Sequence, residues 1–282
     1  MFGRCRCGIF KLFFKVFNPR RYILNFCHII TDNIFCGEKL KIKGSFGSVD
    51  MNLDLQKKIE NFVLDEGACD VGFAKLPDGP FGENSYAVSF VVRLSEAVVE
   101  EINGEPTHTY FHHYRTVNAF IDSIALKVGN LIQNSGYKYI PVGASQSINK
   151  DGWNYCGRYS HKKAASLAGL GGIGKNSLFL HKKYGADVRL GTILTDFPFE
   201  IKENDYVSPC IECDACVTAC PSGAINGRLW QPGLERKDVF DPEKCSEYMK
   251  KEFKHIGRGA VCGICMSVCP VGKGGIYGTE KN

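Results

Sequence analysis

The 282-residue chain lacks any run approaching the roughly 18 consecutive apolar residues that a helix needs to cross a bilayer, and its most apolar windows are broken by Lys11, Lys15 or Arg93. It also lacks positive charge where a nucleic-acid grip would need it. Residues 1–50 carry nine Lys/Arg and three Asp/Glu, a balance of +6. The remaining 26 Lys/Arg against 27 Asp/Glu leave the body at −1 of the net +5. A broad basic face for phosphates is therefore not expected there. Cysteine is too sparse for a disulfide scaffold: 14 in 282 residues is about 5%, below the roughly 8–10% of such chains. With 44% hydrophobic and 23% charged residues, disordered and fibrous classes are excluded too. Thiols at this density, with no sign of an oxidising compartment, point to metal and to a cytoplasmic protein.

The first 50 residues differ from the rest and read as a basic N-terminal extension. Ile9 to Phe17 is aromatic and aliphatic, and Cys5, Cys7, Cys27 and Cys36 have no ligand-like spacing. Three readings stand open. The segment is a basic amphipathic arm that touches a membrane surface, an export signal built on Arg20-Arg21, or a stretch preceding a functional start at Met51. Against export, the apolar run after Arg21 is short, holds His28 and Asp32, and leads to no small-residue cleavage site.

From Met51 the periodicity becomes regular. Leu55, Ile59, Phe62 and Val63 predict a helix capped by Asp54. The alternation over Tyr86–Leu94 predicts a strand, and Val117 to Ile132 follows helical spacing until Gly136 closes it. Tyr139–Val142 reads as extended, Ser160–Ala168 as helix, and Ser177–Leu180 and Val188–Leu194 as strands. This interleaving predicts an α/β domain over residues 51–205, followed by a cysteine-rich domain over 206–282.

Cys210, Cys213, Cys216 and Cys220-Pro221 form C-x2-C-x2-C-x3-C-P, the bacterial ferredoxin run, in which the fourth cysteine ligates a neighbouring cluster. Cys262, Cys265 and Cys269-Pro270 repeat the ending, and Cys245 stands alone between them. Eight thiols suffice for two [4Fe-4S] cubanes. The spacing assigns Cys210, Cys213, Cys216 and Cys269 to one, and Cys220, Cys245, Cys262 and Cys265 to the other. Tetrahedral zinc on two C-x2-C pairs leaves Cys216, Cys220 and Cys269 unexplained. Cys69 and Cys156 read as ordinary buried thiols.

The stretch Gly169-Leu170-Gly171-Gly172-Ile173-Gly174-Lys175-Asn176 imitates two nucleotide motifs. A dinucleotide loop needs a strand before it, and what precedes reads as helix. A P-loop needs Ser or Thr where Asn176 stands. The glycines instead allow close backbone approach to something large and flat or anionic.

Residues 157–200, with the A-G-L-G-x-I-G-K-N element at 168–176 and Thr195-Asp196-Phe197-Pro198, together with the eight-cysteine tail, resemble the epoxyqueuosine reductase and reductive dehalogenase superfamily over roughly residues 85–282. The resemblance implies a nitroreductase-like α/β domain of the cobalamin-binding type, followed by a small two-cluster ferredoxin-like domain. It implies an oxidoreductase in which electrons pass from a low-potential donor through both clusters to a corrinoid that reduces the substrate, a small molecule or a modified nucleoside. In that picture the glycine loop, with Gly169, Gly171, Gly172, Gly174 and Lys175, packs on the corrin. Where epoxyqueuosine reductases place a proton-donating Asp, this chain has Tyr155-Cys156, with Asp151 a little earlier; Tyr155 and Asp151 are the candidate acids. Many epoxyqueuosine reductases carry a C-terminal helical-repeat region that helps hold tRNA; this chain ends thirteen residues after Cys269 without one, which with the −1 body weakens a tRNA partner.

Three other groups are candidates. His161-Lys162-Lys163 reads either as a hold on a corrin amide or anionic tail, or as a solvated helix start. His108, His112 and His113 read as pocket-lining or as surface and capping residues. Lysines near 250–254 read as a solvated face and as a docking patch for an acidic electron donor. The competing function is a ferredoxin-like electron carrier without corrinoid that docks a partner enzyme.

Overall fold

A computed structural model describes residues 47–148, 152, 155–231 and 233–273, which fall within one compact unit. The N-terminal extension lies outside the described residues except for 47–50, whose backbone opens the first helix; Asp151 lies outside them as well. Helix α1 spans Gly47–Asp65 and so begins before Asp54, with no proline between residues 47 and 54 to interrupt it. Strand β1 (Asp70–Lys75), β2 (Tyr86–Arg93), the short α2 (Glu96–Glu100) and the long α3 (His108–Asn134) follow. Helix α3 starts well ahead of the apolar periodicity because the Thr107 hydroxyl accepts the Tyr110 N–H at 3.0 Å and caps it there. His108, His112 and His113 thus stand on the helix rather than before it.

Next come β3 (Tyr139–Val142), α4 (His161–Leu167), β4 (Gly171–Ile173), β5 (Phe179–His181) and β6 (Val188–Thr195). One sheet runs β1-β2-β6-β3 and every pairing in it is antiparallel; β4 and β5 make a separate hairpin. Both faces of the sheet are covered. Val88, Phe90 and Ile193 pack with Ile59 and Val63 of α1 and Ile121, Ile124 and Val128 of α3. On the opposite face Ala87 and Leu194 meet Ala164 of α4, while Val91 and Leu190 meet Ala165 and Phe179. Double cover explains why β2 buries every residue between its ends, where simple alternation would leave one face polar. Phe90 pairs across the ladder with Gly191. A Cβ there would sit 2.1 Å from the Phe90 ring, so the glycine in mid-strand is a packing requirement.

Among its described residues the cysteine segment holds three short α-helices: α5 (Ala215–Ala219), α6 (Pro242–Glu252) and α7 (Ile264–Ser267). Phe253, Ile256, Val261, Ile264, Met266 and Val271 from this segment belong to the same buried cluster as the α1/α3 face of the sheet. Among the described residues no helix is long and apolar enough to cross a membrane.

Candidate metal centre and adjoining cavity

The eight cysteines are carried by loops and one-turn helices that the body holds in register. The Ser208 hydroxyl donates to the Ile173 carbonyl at 2.8 Å and accepts the Cys210 N–H at 3.2 Å, tying the first cysteine loop to β4. Lys175 donates to the Cys213 carbonyl at 3.2 Å and pairs with Asp214 at 2.8 Å. Asn176 donates to the Cys265 carbonyl at 3.3 Å, so adjacent residues fasten both cysteine loops. Cys245 rides on α6, where Asp241 caps the helix by accepting the Glu243 and Lys244 N–H groups and Pro242 occupies the first turn. Gly263, at φ 84, turns the chain between Cys262 and α7.

Cys210, Cys213, Cys216 and Cys269 line one small cavity, together with Lys175, Asn176 and Leu180. Cys220, Cys245, Cys262 and Cys265 lie on the wall of a second cavity of about 840 Å³. All ten described cysteines are free of disulfides. Among the described residues no three His, Cys, Asp or Glu side chains converge on a single-ion site. The electrostatics divide mainly the same way, although Cys216 also raises Cys265 across the two groups. Cys245 is pushed up to about 12, first by burial and then by Cys262 and Cys220. Cys269 is pushed up to about 11 by burial and then by Cys210, Cys216 and Cys213. Burial raises the Cys220 thiol too, but the Ser222 hydroxyl and nearby backbone N–H groups outweigh it and hold the thiol low. Crowded thiols of this kind have the donor chemistry for iron–sulfur clusters, since metal displaces their protons and its positive charge offsets the repulsion between the resulting thiolates.

The large cavity lies between α3, the segment after β3, α4, β6 and the cysteine helices. Tyr155 lines it with a left-handed backbone (φ 53), and its carbonyl accepts from Arg236 at 2.7 Å. His161 lines it as well, with Nδ1 2.8 Å from the Thr192 hydroxyl and Nε2 3.2 Å from the Gly143 carbonyl. Burial holds this imidazole below its usual range and favours the neutral form. Lys162 lines the cavity, whereas Lys163 turns away to pair with Asp78 at 2.6 Å. His113 accepts the Ser95 N–H at 3.0 Å, at the start of α2; none of the three α3 histidines is on the cavity wall. Cys69 is half-buried and donates to the Val91 carbonyl at 3.3 Å. Cys156 is exposed, on the cavity wall beside Arg236, and so is not the buried thiol expected from the sequence.

The glycine loop sits elsewhere. Gly169, Gly171, Gly172 and Gly174 do not line the large cavity. Their close approach is to the chain itself: a Cβ on Gly171 would lie 2.1 Å from the Leu180 carbonyl, and one on Gly172 would lie 2.7 Å from the Ser208 Cα. The physical reason is the β4–β5 hairpin, which pins the glycines between their partner strand and the segment leading into the cysteines. Lys175 accordingly faces the small cavity rather than the large one. Tyr114 and Arg189, also on the large cavity's wall, belong to no motif, and only the pairing of α3 with β6 brings them together.

Residues 209–272 match the family model described as a 4Fe-4S double cluster binding domain. The epoxyqueuosine reductase of Listeria monocytogenes is 29% identical over 127 residues, covering 42% of this chain and 31% of that protein. That of Vibrio cholerae is 33% identical over 116 residues, covering 38% of this chain and 29% of its own length. The chain thus matches about a third of the length of these relatives. Among solved structures, a catabolic reductive dehalogenase in complex with 3-bromo-4-hydroxybenzoic acid matches with TM-score 0.55 at 19% identity, over 79% of this chain and 37% of that one. A further reductive dehalogenase structure, which suggests a mechanism for B12-dependent dehalogenation, matches equally. An epoxyqueuosine reductase with a modified tRNA stem loop matches with TM-score 0.50 at 17% identity, over 79% of this chain and 66% of that one. With its two-quartet cysteine segment and its covered antiparallel sheet, the chain is thus similar to epoxyqueuosine reductases over about two fifths of its length, holds a double-cluster domain at residues 209–272, and shares its fold with reductive dehalogenases.

Proposed function

We propose that the chain is a cytoplasmic iron–sulfur oxidoreductase of the epoxyqueuosine reductase type, in which electrons from a low-potential donor pass through two [4Fe-4S] clusters to a corrinoid in the large cavity. The substrate reduced there is a small molecule or a modified nucleoside, a tRNA-borne one included. On this reading residues 51–205 carry the cavity and residues 206–282 the clusters.

One observation carries the proposal: Cys220, Cys245, Cys262 and Cys265 stand on the wall of the same cavity that has room for a large ligand. At about 840 Å³ it lies in the upper part of the roughly 300–1,000 Å³ span of ligand pockets. Small residues, among them Gly143, Ala144, Gly157, Ala186 and Gly263, leave its wall open to a broad flat ring, so the residues present fit a corrinoid. Such a group, when bound, supplies a low-valent metal for reducing the substrate. The chain's own part is to seat and shield it. His161, kept neutral by burial, holds the Gly143 carbonyl in the wall, and Tyr155 is the group assigned to proton delivery from the cavity side.

The test is anaerobic reconstitution with iron and sulfide, followed by equilibrium binding of cobalamin monitored by the electron paramagnetic resonance of Co(II). Two clusters, which correspond to about eight irons per chain, and a shifted Co(II) signal are expected. Full cluster content with no shift in the signal removes the corrinoid and leaves a ferredoxin-like carrier that docks a partner.

A further inference from the structure

Arg189 projects from β6 onto the wall of the large cavity. Its Nε donates to the Asn118 side-chain carbonyl at 3.0 Å, and its Nη2 to the Ala144 carbonyl at 3.1 Å and the Tyr114 hydroxyl at 3.4 Å. All three partners are neutral. The guanidinium lies 4.3 Å from the Tyr114 ring centroid, so the aromatic face fixes its plane. A guanidinium has five N–H donors, and both on Nη1 are left without a protein partner among the described residues. Asp122 accepts the Ala144 N–H at 2.9 Å and makes no ion pair with Arg189 among the described residues.

Lys162 repeats the pattern from α4. Its ammonium donates to the carbonyl and the hydroxyl of Ser177, again neutral groups, and this leaves one of its three protons unused. Ser177 holds both oxygens there from a left-handed backbone conformation (φ 57) that is costly for a serine. Burial, with Arg236 nearby, pushes Lys162 down to about 8, the sign of a cation without a counter-charge. No Asp or Glu occurs among the described residues on the cavity's wall. Two fixed cations that retain free donors and face a carboxylate-free cavity make a receptor for negative charge.

We infer that the large cavity binds its ligand through an anionic group, a phosphate or a carboxylate, held by Arg189 with Lys162 as the second cation. This deepens the reading of the cavity as the reaction site but does not need a corrinoid. Two sources supply such a group: the phosphodiester of a complete cobalamin, or the substrate itself.

The experiment uses full-length protein reconstituted without air, and compares wild type with Arg189→Gln, Arg189→Lys and Lys162→Gln. Cluster content and circular dichroism serve as controls. Binding of cobalamin, of cobinamide (which lacks the phosphodiester), of inorganic phosphate and of benzoate is measured by calorimetry at constant ionic strength. Loss of one charge-assisted contact is expected to weaken the anionic probe about 10- to 100-fold in Arg189→Gln, with partial recovery in Arg189→Lys, and about 10-fold in Lys162→Gln. Weakened cobalamin with unchanged cobinamide assigns the anion to the cofactor. Unchanged corrinoid binding with weakened phosphate or benzoate assigns it to the substrate. If wild type binds neither corrinoid yet phosphate or benzoate binds in an Arg189-dependent way, the corrinoid reading falls and this inference stands. Affinities for all four probes within about twofold of wild type in both Gln variants overturn it, as does a shift in cluster potential with no change in any affinity. That last result would make the two cations counter-charges of the cluster alone.

Discussion

The quartet of Cys210, Cys213, Cys216 and Cys269 faces a small space closed by Lys175, Asn176 and Leu180, whereas Cys220, Cys245, Cys262 and Cys265 open onto a cavity large enough for a cofactor or substrate. Both quartets come from the same 60-residue stretch and share its C-P endings, so spacing alone does not distinguish their roles. Their neighbours do. The first is bounded by the β4–β5 hairpin and the residues that follow its glycines; the second is bounded by α3, α4 and β6, which bring cations, tyrosines and small residues to the wall. On the proposed function, the closed centre would relay electrons and the open one deliver them.

The strongest way to break this comparison is to remove one centre at a time. Cys245→Ala is expected to leave about four irons per chain of about eight, and to abolish reduction of a bound corrinoid while the first centre keeps its redox couple. Cys210→Ala is expected to leave the same iron content but to slow electron entry instead. Iron and sulfide analysis with a redox titration checks both, and iron near eight in Cys245→Ala refutes the assignment of thiols to quartets.

A smaller effect sharpens the structural side. Gly172→Ala places a methyl 2.7 Å from the Ser208 Cα, and Ser208 anchors Cys210. Backbone cannot move aside as a flexible side chain would, so a loss of about 1–3 kcal/mol is expected. Iron should leave the first centre faster than the second under a chelator, as followed by the loss of each redox couple.

Lys162 gives a prediction on the large-cavity side. Its folded-state value near 8 lies below the 10.5 of a free lysine, so keeping it charged opposes folding at pH 7. That penalty is complete below about 8, shrinks as pH rises from 8 toward 10.5, and vanishes above it, because the unfolded chain then holds no extra proton. Lys162→Met is expected to stabilise the ligand-free protein by on the order of 1–3 kcal/mol at pH 7 and by progressively less toward pH 10.5. Urea unfolding across that range measures it, and a gain that grows with pH contradicts it.

The smallest effect concerns the ion pair at the closed centre. Asp214 is 65% exposed, so Lys175→Met is expected to cost no more than about 1 kcal/mol of stability, and to shift chelator sensitivity of the first centre only.

Much of the fold was legible in the residues. Val117 to Ile132, Tyr86 to Leu94 and Val188 to Leu194 repeat at periods that permit only one element type, and each became that element. Strand β1 escaped notice because Asp70, Gly72 and Lys75 interrupt its apolar pattern, and β4 because glycines hide a strand behind a nucleotide-like motif. At the glycine loop the need for close approach is readable in the residues, and the structure shows Leu180 and Ser208 among the groups that come close.

Chain order and chemistry alone determined the number of thiols, their division into two quartets and the likeness to a reductase superfamily, because ligand spacing is a local property of a few consecutive residues. Which quartet faces a cavity, that Arg189 and Lys162 look into it with donors to spare, and that the glycines pack on Ser208 and Leu180 were decided by tertiary structure. These depend on how β6, α3 and α4 stack across a sheet covered on both faces, and such contacts between residues far apart in sequence leave no periodic trace in it.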